Sequence, residues 1–171
     1  MPQLTDEQKV AIARDGGILR PWTVMNLSRE IGVPFYGACA YLEQETGGGH
    51  NVFGSDRGKP GLIRGEELLA VTGNRTVTRD RYLIYKMQRP DLGMQGVGPL
   101  QLTWWEVQDE ADALGGCWKP TANTEVGLKL IAEFKAEGRT WHETAVRWNG
   151  GEAFGDHNDM LRNDWRERLA A

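Results

Sequence analysis

The chain has 171 residues, 40% hydrophobic and 26% charged, with a formal net charge of −4. That is the length of one domain, with enough apolar content to bury a core. It lacks the basic stripe of a nucleic-acid binder, any apolar run of membrane-spanning length, and, over Met1–Arg20, the basic start and apolar core of a signal peptide.

Thr5-Asp6-Glu7-Gln8 reads as a capping box that opens a helix over Asp6–Asp15, closed by Gly16-Gly17. Pro21 suits the first position of a second helix, through about Glu30 and ended by Gly32. Trp22, Met25, Leu27 and Ile31 are its expected core contribution. In the third helical stretch Phe35, Ala38, Cys39 and Leu42 fall at i, i+3, i+4 and i+7. Continuing that stripe reaches Glu45 and Thr46, not Glu43 or Gln44. Gly47-Gly48-Gly49 then stops the helix.

The spacing aims the Glu45 carboxyl at the apolar side, in the last turn. Partial burial and the negative end of the helix dipole both raise a carboxyl pKa. A carboxyl still protonated near neutral pH can protonate a leaving oxygen. A last-turn Glu that bends into solvent fits the same pattern.

Residues 47–65 are rich in Gly, Asn, Asp and Pro and read as a long loop. Asn51-Val52-Phe53-Gly54 places apolar residues, Phe53 among them, beside the acidic end, so this loop is expected to pack and to wall a cleft. Asp56 lies in it, either facing that cleft or forming an Asx turn. Short helices are expected over Gly65–Val71 and Thr78–Met87, the second with Tyr82 and Tyr85 on one side and ended by Arg89-Pro90. An irregular, glycine-rich segment from Asp91 to Thr103 follows. Thr103 and Glu106 read as a capping box for a helix opened by Trp104 and Trp105. Further helices are expected over Asn123–Glu137, from a Thr140/Glu143 capping box to Trp148-Asn149-Gly150, and over about Asn158–Leu169.

The sum is a mostly α domain of seven or eight helices with little or no strand. Cys39 and Cys117 are expected as buried thiols rather than a disulfide. His50, His142 and His157 stand alone in the sequence, without zinc spacing, so no metal or organic cofactor is implied.

Three separated segments resemble one family. Glu45-Thr46 stands where the lysozyme-like superfamily, which includes soluble lytic transglycosylases and goose-type lysozymes, has a catalytic Glu-Ser. Gly98-Pro99-Leu100-Gln101-Leu102-Thr103 is similar to its Gly-Leu-Met-Gln-Ile segment, and Arg147-Trp148-Asn149-Gly150-Gly151 to its Ala-Tyr-Asn-Ala-Gly. Between them, Pro120, Asn123, Gly127, Leu130 and Ile131 match a family helix. The resemblance covers about residues 33–151, and the wording is most like the wall-hydrolase domains of actinobacterial phages.

The resemblance implies a lysozyme-like fold around a substrate cleft. It further implies an enzyme that cleaves the β-1,4 bond between N-acetylmuramic acid and N-acetylglucosamine, with Glu45 as general acid. Thr46, Phe53, Gly98, Gln101, Trp148 and Asn149 would meet the glycan. The chain departs from the family where Trp148 replaces a tyrosine, where Thr103 replaces an acidic residue, and in the length between Glu45 and Gln101. Hydrolysis needs a second carboxylate, whereas a transglycosylase uses the muramic acid's own C6 hydroxyl. Asp91, near the accessory aspartate of goose-type lysozymes, and then Asp56 are the candidates, Asp91 being equally readable as a turn former. The expected partner is the peptidoglycan strand, with no nucleic acid and no membrane insertion, and the expected state is a monomer. The place of action would be the host cytoplasm and then the wall for a phage endolysin, or that of a larger secreted or virion protein. A non-catalytic glycan-binding module and a chitin-degrading enzyme are the competing readings.

Overall fold

The computed structural model describes residues 3–54 and 74–170. Asp56 and the helix expected over Gly65–Val71 lie outside the described residues. Among those described there are eight helices: α1 (Asp6–Asp15), α2 (Pro21–Ile31), α3 (Phe35–Thr46), α4 (Arg79–Leu92), α5 (Trp105–Ala113), α6 (Pro120–Ala136), α7 (Trp141–Asn149) and α8 (Glu152–Arg168). Among the described residues, strand pairing is limited to isolated antiparallel bridges, Val52 to Thr76, Phe53 to Val97 and Val97 to Leu102. The protein is therefore mostly α, as its periodicity predicts. No described helix is long and apolar enough to cross a membrane.

The chain divides into two compact units. One comprises residues 1–48 and 128–171; the other is Gly49–Gly127. The boundary falls inside α6.

In the first unit, two helix starts are set by reciprocal caps. Thr5 accepts from the Gln8 N–H while the Gln8 side chain accepts from Thr5 N–H, and Thr140 and Glu143 repeat the arrangement at α7. α3 is the buried centre. Gly37 through Leu42 are all buried, with Ala38, Cys39, Ala40 and Tyr41 at 0% exposure. The four-residue stripe read from the sequence is thus too narrow, because α8 covers a second side of this helix. Gln44 donates to the Phe154 carbonyl (2.9 Å) and accepts from the Asn158 amide (2.8 Å), and Glu43 accepts from the Trp165 indole (2.6 Å). Met25 and Leu27 are buried as expected, but Trp22 is 42% exposed and Ile31 half-buried. The buried face of α2 runs through Val24, Met25, Leu27 and Ser28, and Trp22 stands off it.

α8 begins at Glu152, six residues before the sequence places it. Gly155 is required there, since a Cβ would overlap Val146 and His142 of α7. His142 is not solitary. Its Nδ1 lies 2.9 Å from Asp159 and its Nε2 3.0 Å from Glu152, and Arg162 also pairs with Asp159.

In the second unit, α4 runs through Pro90 to Leu92 instead of ending before it. The turn is held from outside. The buried Arg89 guanidinium donates to Asp109 (2.5 Å) and to the Trp105 carbonyl (3.2 Å) of α5. Thr103 does not cap α5. Its hydroxyl donates to the Gln101 carbonyl (3.0 Å), and the helix begins at Trp105 without a side-chain cap. α6 begins at Pro120, three residues earlier than expected. Tyr82 and Tyr85 are both buried.

Cys39 and Cys117 are free, buried thiols. Burial raises both pKa values, that of Cys117 to about 12, so neither is a nucleophile near neutral pH.

Candidate active site

Glu45 stands in the last turn of α3, and the turn after it is built from glycine. Gly47, Gly48 and Gly49 have φ of 64°, 115° and 93°, a run that L side chains resist. The N–H groups of Gly47 and Gly48 return to the Glu43 and Leu42 carbonyls (2.8 and 2.9 Å), closing the helix end. A Cβ on Gly48 would overlap the Gly17 carbonyl, and Gly48 O accepts from Leu19 N–H at 2.8 Å. The helix end that carries Glu45 is therefore anchored on the α1–α2 connection.

The Glu45 side chain is half-buried. The Trp148 indole N–H donates to its Oε1 at 2.6 Å, linking α7 to α3 across 103 residues. Trp148 in turn meets the ring of Tyr41 edge to face, with centroids 5.8 Å apart and planes at 69°. Tyr41 precedes Glu45 by one helical turn, so both project from the same face of α3. Burial pushes the Tyr41 phenol pKa well above its ordinary value. Arg162 opposes that rise, while Glu45 and Asp159 add to it. The phenol is thus held neutral, and its hydroxyl is buried without a hydrogen-bond partner among the described residues.

The other expected residues of this unit sit nearby in sequence but play local parts. The Thr46 hydroxyl turns back to the Leu42 carbonyl (3.4 Å). Asn149 is exposed at the end of α7, where Gly150 takes the left-handed conformation (φ 82°).

In the second unit, Gln101 and Gly98 form a tight hairpin. Gln101 has φ 48°, and its amide donates to the Gly98 carbonyl (2.8 Å) and the Val52 carbonyl (3.0 Å). Gly98 has φ 80° and lies so close to Asn123 that a Cβ would overlap its amide. Asn123, fully buried, donates to Val97 O (2.8 Å) and accepts from Leu100 N–H (3.1 Å). The residues of the family-like segment thus build the hairpin itself. Phe53, expected on a wall, is 2% exposed and packs edge-on against Tyr85 (5.8 Å), so its ring belongs to the core of this unit. Asp91 is exposed in the last turn of α4.

The pairing that the sequence did not reveal is Glu45 with Trp148 and Tyr41. Tyr41 was within reach of the pattern, since a residue four before Glu45 shares its face. Among the described residues no group of three His, Cys, Asp or Glu side chains is arranged to hold a metal. A surface depression of about 350 Å³, lined by Lys9, Ser28, Arg29 and Phe35 among others, involves neither Glu45 nor Trp148.

No family model, no curated protein and no solved structure matches this chain.

Proposed function

We propose that this protein is a peptidoglycan glycosidase that cleaves the β-1,4 bond between N-acetylmuramic acid and N-acetylglucosamine, with Glu45 as its general acid. The observation that carries the reading is the Glu45 carboxyl itself. It is half-buried at a glycine-stopped helix end, with one oxygen held by an indole N–H at 2.6 Å. A carboxyl so held is a reagent with a fixed direction, unlike a last-turn Glu waving in solvent. The ordered resemblance of the Glu45, Gln101 and Asn149 segments to lysozyme-like enzymes supplies the substrate class.

In the reaction Glu45 gives its proton to the glycosidic oxygen. The bond from that oxygen to C1 of the muramic acid breaks, and the N-acetylglucosamine leaves as an alcohol. Positive charge gathers on C1 and the ring oxygen, and Glu45, now a carboxylate, can take the proton of whatever attacks C1. Water gives a reducing muramic acid. The C6 hydroxyl of the same sugar gives a 1,6-anhydro end, the product of a lytic transglycosylase.

Wall lysis by wild type and by Glu45→Gln tests the reading. Lysis is expected to vanish in the variant while its thermal unfolding stays within a few degrees of wild type, since the amide keeps an acceptor for Trp148. Retained lysis would overturn the role of Glu45. Glycan binding without turnover by the wild type would instead mark a non-catalytic module. Mass spectrometry of the released fragments separates the two products, the anhydro form being lighter by one water.

A further inference from the structure

Resting on the reading of Glu45 as the acid, we propose that Trp148 is its positioning residue, holding the carboxyl by one oxygen. The indole N–H is a donor only; it has no lone pair to offer. In a protonated carboxyl the carbonyl oxygen is the stronger acceptor and the hydroxyl oxygen the weaker. The 2.6 Å contact from Nε1 to Oε1 therefore favours Oε1 as the carbonyl oxygen of the protonated form. After proton transfer the same N–H remains on a carboxylate oxygen, so no rearrangement is needed for the return step.

Where lysozyme-like relatives carry a tyrosine, this chain has Trp148. A tyrosine hydroxyl both donates and accepts, so it can face either form of either oxygen. The indole cannot, and the exchange replaces a permissive partner by a directional one.

A second observation supports a dedicated role. The indole ring packs in a T-shaped pair with the Tyr41 ring at 5.8 Å and 69°, and Tyr41 is 0% exposed and one turn from Glu45 on the same helix. Trp148 itself occupies the last turn of α7, which Gly150 closes with a bond to the Val146 carbonyl. A side chain that moved freely would not hold a single oxygen of a neighbouring acid.

The test compares wild type, Trp148→Phe and Trp148→Tyr on soluble glycan strands. Phenylalanine keeps an aromatic ring against Tyr41 and loses only the donor. Its kcat is expected to fall about 10- to 100-fold, the range of a hydrogen bond to a charged group, with KM unchanged within about twofold and a displaced pH–rate profile. Tyrosine is expected to recover part of that kcat. An unchanged kcat in Trp148→Phe, or a loss confined to KM, would overturn the proposal while leaving the glycosidase reading intact. An inactive wild type would overturn the glycosidase reading. The pair is then decided by the Trp148 indole ¹⁵N–¹H resonance. It is expected to shift with pH in the wild type and not in Glu45→Gln, and an identical response in both would overturn the contact.

Discussion

Single residues in this protein are fixed by what stands next to them more than by their type. Gly98 is the clearest case. Its φ of 80° disfavours any side chain, and the Asn123 amide occupies the space a Cβ would need. Asn123 cannot yield, since it is buried and bonded to both Val97 and Leu100. Gly98→Ala is therefore expected to cost at least about 1–2 kcal/mol from the backbone conformation alone, read as a lower urea midpoint with an unchanged slope. A wild-type midpoint would show that Asn123 can move aside. The same logic explains Phe53. Its place after a polar loop suggests a wall, but the bridge from Phe53 to Val97 turns its ring onto Tyr85. Nothing in the local sequence encodes that bridge, because its two sides lie 44 positions apart.

At the scale of elements, whatever is local in cause was legible. Both capping boxes, the glycine stop after Thr46 and the end of α7 at Gly150 follow from residues within four positions of each other. Pro90 and the early start of α8 differ from expectation for the opposite reason. Arg89 is held by α5, and the first turn of α8 needs Gly155 for its contact with α7. That last contact carries a charge switch. Both ring nitrogens of His142 face carboxylates, which requires two donors and hence the imidazolium. Glu152 first, then Asp159, raise its pKa above 6.5, with Arg162 on Asp159 the only cation paired into this cluster among the described residues. A raised folded-state pKa adds stability that is fully present below the unfolded value, about 6.5, and is lost as pH climbs through the folded value. The melting temperature of wild type should exceed that of His142→Gln in mildly acidic buffer, and the two should converge in alkaline buffer. A gap that widens with rising pH would reverse the assignment.

At the scale of the whole molecule, the first unit is assembled from the two ends of the chain, 1–48 and 128–171. Such a unit can close only through contacts of long sequence separation, which cost loop entropy before they repay it. No periodicity announces those contacts, which is why Glu43 and Gln44 read as outward-facing. Trp165 is the principal closure. It is 0% exposed, its indole donates to Glu43 at 2.6 Å across 122 residues, and its ring lies where a Cβ on Gly16 would stand. One side chain thus joins the end of α1, the last turn of α3 and α8. Truncation to alanine removes a large buried ring and leaves a carboxylate without its donor, so Trp165→Ala is expected to cost about 3–5 kcal/mol. Trp165→Phe refills most of the volume and should cost less, about 1–3 kcal/mol for the lost bond to a half-buried charge. Chemical denaturation followed by circular dichroism measures both. The order alanine worse than phenylalanine worse than wild type is required if Trp165 closes the unit by packing and by hydrogen bonding together. Equal loss in the two variants would mean the bond to Glu43 carries the closure. A wild-type curve for phenylalanine would assign it to packing alone, leaving Glu43 as a carboxylate that merely tolerates burial beside an indole.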